Sequence, residues 1–450
     1  MSIEHVAHLP MISRRRLAAA AIAVAVAVSP ALPLTSEIVV TANAATTTKQ
    51  SWRLTPGVKL TRIRYPETPN EVRVLTVLPQ EGPTLDPVAA DPAFPMYELS
   101  STMSVRNDGA IAGTNGDFAT SYGAPVHAFM VDGELWTSGT GAGALFGMTP
   151  DGVRAFIGTP SLRMVARTST SPTQRIANWN AGTPEISTVH AYTVRGGSAV
   201  QPPGSSNPTA SDPTWCAARL TPVAGYEWAT NDRTAIQRRY RVQQAATCAK
   251  TRMGLGSDTG NVVLVSKGSD GAGSTWIKTL TAGKRVKLQY GFLGWPGVTD
   301  VAGGNTMLVD RGQNVAPPYY KGAPNVLWYN PRTSVGVNRG CGDTNPGTAC
   351  KIFVVTVDGR QGSSGWSKGM QLPRLAREHL DLGARYALNF DGGASTVMWV
   401  QRRRDAYCQS PVSLGGCLVS RPSASFGERD TITGLSVLSA PDTHTPPGLR

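Results

Sequence analysis

The 450-residue chain is short of charge and of aromatic rings: 16% Asp, Glu, Lys and Arg, and 7% Phe, Trp and Tyr. Against that stand 48 Gly and 33 Pro. Turn formers at this density suit an all-β or α+β chain and argue against a helical bundle. The absence of Cys-x-x-Cys removes the usual signal of a zinc ribbon or a thioredoxin-like redox pair. No Asp-x-Asp-x-Asp-Gly marks a calcium loop. Gly141-Ala142-Gly143 lacks the third glycine at dinucleotide spacing. Gly393-Ala394-Ser395-Thr396-Val397 ends in valine where a nucleophile elbow has glycine. No nucleic-acid motif and no repeat appear. His127, His190 and His379 share no spacing with each other or with acids and read as structural or solvated.

Long apolar runs are absent beyond the N-terminus. There, Arg14-Arg15-Arg16 precedes a run from Leu17 to Val28, shorter than the roughly 20 residues a bilayer requires. Ala42-Asn43-Ala44 follows with small residues at cleavage spacing. Residues 1–44 are therefore expected to be an export signal, twin-arginine-like, although the usual phenylalanine and lysine are missing. The mature chain is expected without a membrane span, in the envelope or secreted. Six cysteines (216, 248, 341, 350, 408 and 417) fit an oxidising compartment. Their order favours the pairs 216–248, 341–350 and 408–417.

Acid is also scarce: 30 Asp+Glu face 43 Lys+Arg, a formal charge of +13. Such a field attracts anionic polymers, nucleic acid or a phosphate-bearing glycan alike. With no nucleic-acid motif, a nucleic-acid partner is not expected. Arg402-Arg403-Arg404 reads as a solvated surface run.

Along the chain, residues 45–70 read as a loose polar leader, Val72–Leu78 as a strand and 81–95 as a loop. Short strands run from Ile111 to about Val165. Residues 168–185 and 200–214 read as surface loops, and the basic stretch between Cys216 and Cys248 as irregular. Val262–Val265, Arg285–Leu288 and Ile352–Val357 read as strands. Gln371–Leu382 reads as a helix, with Pro373 in its first turn and Gly383 just past its end. With the strand Arg385–Phe390 it completes a strand–helix–strand unit, whose polar strand ends are where α/β sheets place their sites.

That unit ends at Asn389-Phe390-Asp391-Gly392-Gly393-Ala394-Ser395-Thr396. Three more clusters put an acid, arginine or amide beside glycine at an apparent strand end: Gly113-Thr114-Asn115-Gly116-Asp117-Phe118, Pro331-Arg332-Thr333-Ser334-Val335-Gly336 and Val357-Asp358-Gly359-Arg360. Each alone is an ordinary turn. Four together could converge on one pocket.

In that order the four clusters resemble the phosphodiester glycosidase family, which includes N-acetylglucosamine-1-phosphodiester alpha-N-acetylglucosaminidase, the uncovering enzyme. Asp300-Val301-Ala302-Gly303-Gly304, Lys368-Gly369-Met370 and Arg421-Pro422 extend the resemblance over roughly residues 60 to 440. It implies a glycosidase-like domain at 71–440, one large mixed-sheet α+β fold with few helices and long loops. Residues 200–255 look like a branch-specific insertion. Two departures stand out: Ala394 replaces a third glycine, and Gln371 a threonine. The family removes a sugar, often N-acetylglucosamine, from a phosphodiester, and many bacterial relatives are linked to exopolysaccharide.

The residue types fit that chemistry. Arginine reads a phosphodiester through a planar fork of donors, and Arg332 and Arg360 are the candidates, with Arg421 a weaker third. Gly392 and Gly393 amides with Ser395 and Thr396 could form an anion nest. Asn115 and Asn389 suit sugar hydroxyls or an acetamido group. Asp391, then Asp358, then Asp117 are the catalytic carboxylates, with a turn cap as the competing role for the last two. No cofactor is required; clustered carboxylates leave a divalent cation open and no metal ligand is assigned. The expected partner is a sugar-1-phosphodiester or phosphorylated glycan. The alternatives are an envelope protein that binds anionic polysaccharide without turnover, and a phosphodiesterase attacking phosphorus.

Overall fold

Three strands rich in Val and Ile are buried along nearly their whole length: Asn70–Val77, Arg332–Val337 and Ile352–Val357. Continuous burial requires cover on both faces of a sheet. A computed structural model supplies it. It describes residues 46–90, 92–224, 235–317, 328–342 and 348–439, with the short strands Glu37–Val39 and Ala229–Asn231. The described residues fall within the unit Ser36–Arg450. Apart from Glu37–Val39, the expected export signal lies outside them.

The buried strands form the middle of a nine-stranded sheet, in the order Asn70–Val77, Ile352–Val357, Arg332–Val337, Tyr386–Asn389. One face carries the helix Leu372–Asp381, whose Leu375 and Ala376 pack with Val72, Val74, Val355 and Ala387. Each such leucine contributes about 1.5–3 kcal/mol by leaving water. The other face packs Leu75, Val335, Val354 and Leu388 against Ala112, Met398, Leu435 and Val437 of a six-stranded sheet.

The expected strand–helix–strand unit is present in split form. Arg332–Val337 lies antiparallel to both Ile352–Val357 and Tyr386–Asn389. The outer two therefore run in the same direction and end at one edge of the sheet. The strand Ala110–Asn115 of the six-stranded sheet meets that edge, as the contacts below show.

A second body of strands closes on itself. The strands Trp215–Pro222, Val262–Lys267, Val189–Tyr192, Gln174–Trp179, Leu162–Arg167, Arg285–Phe292 and Ala235–Ala249 pair in succession, and the last pairs with the first. This barrel encloses Met164, Ala166, Ile176, Leu264, Leu288 and Tyr290. The α+β class stands, mainly β, but the strands divide among several sheets rather than one.

Four local expectations are corrected. The polar leader at 45–70 is a hairpin, Thr48–Thr55 with Val58–Tyr65. Its charged residues face outward while Leu54, Val58, Leu60 and Ile63 are buried. The loop at 81–95 contains the strand Thr84–Ala89. Pro87 is tolerated there because the strand is at the edge of its sheet. Gln174–Trp179 and the 15-residue Ala235–Ala249 replace stretches read as loop and irregular chain. Cross-strand pairing in the barrel overrides their polar composition.

Cys216–Cys248 and Cys341–Cys350 are disulfides, whereas Cys408 and Cys417 are free thiols, so the third expected pair is absent. Among the described residues no helix is long and apolar enough to cross a membrane. Cys216 and Cys248 face each other across the barrel seam, 32 residues apart in sequence. Closing a loop of that size restricts the unfolded chain by about 3–4 kcal/mol. Replacing both cysteines with serine is expected to lower unfolding free energy by about that amount in a denaturant titration.

Candidate active site

All four polar clusters meet at the shared edge. The Asp391 amide donates to the Gly116 carbonyl, 3.0 Å, and the Phe390 amide to the Thr333 carbonyl, 2.8 Å. The Gly393 amide donates to the Pro331 carbonyl, 3.0 Å. Arg360 lies over Gly393: a Cβ there would sit 3.0 Å from its guanidinium. A Cβ on Gly392 would lie 2.7 Å from the Pro331 carbonyl oxygen, so that approach requires glycine. The resulting pocket, about 280 Å³, is lined by Asp391, Gly392, Gly393, Arg332, Arg360 and Asn389, with Phe118, Asn305, Thr306, Asn330 and Leu372.

Asp391 is the one carboxylate in that lining. Its Oδ1 accepts from the Gly392 amide at 2.8 Å, and Ser395 also donates to the carboxyl. Burial pushes its pKa up, and the nearby Asp117 charge acts the same way. The hydrogen bonds and the charge of Arg429 oppose this without cancelling it. A carboxyl held above its ordinary range exchanges protons more readily near neutral pH.

Two guanidiniums face this acid's pocket. Arg332 is buried; its Nε donates to the Met370 carbonyl at 2.9 Å and an Nη to the Trp328 carbonyl at 3.1 Å. Burial pushes its pKa down to about 10, with the charge of Arg360 contributing. It is still a cation at neutral pH. Arg360 is more exposed, with φ +60, and donates twice to Asn330 Oδ1 at 3.2 Å. A non-glycine residue in the left-handed region is a form of strain that clusters at functional sites. No ion pair among the described residues includes Arg360.

Other expected residues are placed differently. Gly392 and Gly393 point their amides at Asp391 and Pro331, and Ser395 and Thr396 amides at the Gly392 and Gly393 carbonyls, so these four backbone donors are engaged within the loop. The anion nest expected there is not formed. Ala394 does not adopt positive φ, so it costs no strain where glycine is usual. Asn115 is engaged on both sides of its amide: Nδ2 donates to the Asp391 carbonyl at 2.8 Å, and Oδ1 accepts from Thr333 Oγ1 at 2.7 Å. Asn389 does line the pocket, and its buried Oδ1 has no hydrogen-bond partner.

Asp358 and Asp117 are buried behind the lining. Asp358 accepts from Trp366 Nε1 at 2.9 Å and from the Arg421 amide at 3.0 Å, while the Arg421 guanidinium lies over the Trp366 ring. Burial pushes its carboxyl up to about 6; the charge of Arg73 and the two hydrogen bonds oppose this. Asp117 accepts from His127 Nδ1 and the Phe118 amide at 2.7 Å, and from the His127 amide at 2.8 Å. These three acids do not gather as metal ligands. The carboxylates that lie within 4.8 Å of one another are Asp86, Asp132 and Asp300, and none lines the pocket.

His127, expected to be structural or solvated, is buried with its Nδ1 on the carboxylate of Asp117, a candidate acid. Only their closeness in sequence hinted at this. His190 and His379 are internal: burial pushes their pKa down, to about 4 and about 3. Asn305, Thr306 and Asn330 carry no sequence signal of their own beyond lying next to Gly304 and Pro331.

The raised Asp358 value has a consequence for stability. The folded state holds the Asp358 proton more tightly than the unfolded chain, so its contribution is present at low pH and is lost as pH rises toward about 6. Asp358→Asn is expected to flatten this slope. Melting curves from pH 4 to 7 should show the wild type losing stability relative to the variant as pH rises.

The sequence and fold were compared with known proteins. The family model described as phosphodiester glycosidase matches residues 224–438. No curated protein matches the chain. A crystal structure of a hypothetical protein from Synechocystis is similar at TM-score 0.57 and 18% identity, covering 85% of this chain; the chain spans 62% of that protein. A Burkholderia pseudomallei protein, named as exported, is similar at TM-score 0.52 and 21% identity, with 82% and 74% coverage. These two show a shared fold. The zebrafish N-acetylglucosamine-1-phosphodiester alpha-N-acetylglucosaminidase catalytic domain, auto-inhibited by its pro-peptide, aligns over 91% and 84% at 13% identity and TM-score 0.39, too distant to add to it. Residues 224–438 match the phosphodiester glycosidase family, and that span holds three of the four clusters, 331–336, 357–360 and 389–396, while 113–118 lies outside it.

Proposed function

We propose that this protein hydrolyses a glycosyl phosphodiester at the sugar's anomeric carbon. The observation that carries the reading is the pairing, in one pocket, of the raised Asp391 carboxyl with the guanidiniums of Arg332 and Arg360. The phosphodiester carries a permanent negative charge, which the two arginines receive through charge-assisted hydrogen bonds. That anion also relieves the repulsion between them. Asn389, Asn305 and Thr306 face the sugar, and the free Oδ1 of Asn389 accepts from a hydroxyl or acetamido N–H.

Asp391 acts as the base that removes a proton from water as it attacks the anomeric carbon. Phosphate is a good leaving group, so the site manages with one lining carboxyl where most glycosidases use two. Asp117 and Asp358 are positioning residues. Asp117 raises Asp391 through its charge, and Asp358 fixes Trp366 and the Arg421 segment. The two disulfides favour an exported protein, because such bonds persist in oxidising compartments. Residues 1–44 serve as the signal, and the catalytic domain takes in the hairpin Thr48–Tyr65 together with 71–440.

Asp391→Asn is expected to lower kcat on an aryl sugar-1-phosphodiester by about 10²–10⁴-fold, with the melting temperature little changed. Near-wild-type kcat would remove Asp391 from the chemistry. The acid limb of the wild-type kcat/KM profile should lie above the ordinary carboxylate range near 3.9, since the base must be deprotonated to act. Hydrolysis in oxygen-18 water should label the sugar; label in the phosphate would instead mean attack on phosphorus. Arg360→Lys keeps the charge but loses the fork, and should raise KM about tenfold with a smaller change in kcat. An unchanged KM would take Arg360 out of substrate binding.

A further inference from the structure

The barrel carries a surface that the pocket does not use. Four neighbouring strands, Ala235–Ala249, Arg285–Phe292, Leu162–Arg167 and Gln174–Trp179, contain no Asp or Glu. Their even-facing residues fill the barrel, as Tyr240, Leu288 and Met164 do. Their outward residues include seven cations, and register places these beside one another. Arg241 faces Arg285, and Arg239 faces Lys287, which in turn faces Arg167. Arg175 pairs with Val165, and Arg163 stands two residues before Val165. Arg163, Arg167, Arg175, Arg239, Arg241 and Arg285 are exposed and Lys287 half-buried.

Like charges directly opposite on adjacent strands destabilise a sheet. Here three such pairs lie together with strands about 4.8 Å apart. Among the described residues, Arg163, Arg167, Arg175, Arg241, Arg285 and Lys287 are in no ion pair. Self-repulsion of this kind is relieved by an external polyanion, whose charges repeat as the cations do. A hollow of about 520 Å³ on the same face, between Arg163, Arg175, Leu162 and Leu293, gives the surface relief.

We infer that this barrel face binds a repeating polyanionic glycan, one joined through phosphodiesters, and holds it while the pocket acts on it. The choice of a phosphodiester glycan rests on the function proposed above; the polyanion itself rests on the face alone. Two other polyanions fit less well. Single-stranded nucleic acid is held by aromatic stacking as well as charge, and no outward position of these strands between Leu162 and Gly291 is aromatic. A membrane surface is bound by a continuous apolar face together with charge, whereas the apolar residues here, Leu162, Val165 and Leu293, are gathered at the hollow.

The test is direct binding of fluorescent poly(glycerol phosphate), read by anisotropy at several salt concentrations. Neutral dextran, a single-stranded oligodeoxynucleotide and phosphatidylglycerol vesicles serve as comparisons. The wild type should bind poly(glycerol phosphate) more tightly than any of the three. Binding should fall with salt as counterions are released. Arg167→Gln/Lys287→Gln should weaken it about tenfold or more and reduce the salt slope. Turnover of a small aryl sugar-1-phosphodiester should stay at the wild-type level, because neither residue lines the pocket. Equal polymer binding by the variant, or tighter wild-type binding to oligonucleotide or vesicles, overturns the inference. The anisotropy assay reads no hydrolysis, so a failure of the enzymatic reading shows only in the turnover arm.

Discussion

The Asn115 side chain joins the two sheets whose edges make the pocket. It is fully buried at the end of Ala110–Asn115. Its Nδ2 donates to the carbonyl of Asp391, and its Oδ1 accepts from Thr333 and from the Val397 amide. One amide thereby fixes both ends of the 391–397 loop against the strand that begins with Arg332. Without it, three polar groups would be left unsatisfied in the interior, each at a cost of about 1–3 kcal/mol. The positions of Asp391 and Arg332 relative to each other depend on this junction more than on any contact between the two.

The rest of the site's electrostatics follows from that rigidity. The loop's own donors are spent on internal acceptors, so anion binding falls to side chains. Asp391 is half-buried, and burial outweighs the hydrogen bonds from Ser395 and Gly392. Arg332 donates to the backbone carbonyls of Met370 and Trp328. The pocket thus brings one carboxyl and two guanidiniums into a common lining.

Much of this was legible in the sequence, and what was not has a physical cause. Strand Ile352–Val357 and the helix after it showed themselves because burial on both faces leaves an unbroken apolar run, and because Pro373 and Gly383 mark the helix. The four clusters were visible because glycine beside a charged residue is conspicuous. Hydrogen-bond direction is not encoded in composition: Gly392 and Gly393 look alike whether their amides face a ligand or Pro331. Pairings made by tertiary contact were also hidden. Asp117 and His127 stand ten residues apart across a turn, and Asp358 meets Arg421 at 63. The strands at 48–65, 174–179 and 235–249 were hidden for the reason that makes the barrel face unusual: charged outward positions mask a period-two pattern.

On the two readings proposed above, the pocket and the barrel face divide substrate handling in a thermodynamic sense. A pocket of about 280 Å³ admits little more than one sugar phosphate. Contacts made far from the reacting bond are the same in the ground state and the transition state, so they lower KM and leave kcat alone. In the reaction proposed above, contacts by Arg332 and Asp391 at the reacting centre change as charge moves onto the departing phosphate, and these set kcat. The two sets also differ in their response to salt. Exposed cations on the barrel are screened over about 8 Å at physiological ionic strength. Arg332 is buried and its interaction with a bound anion is screened far less. A single net charge of +13 thus covers two kinds of cation: exposed ones on the barrel, and Arg332, locked in the interior beside the pocket.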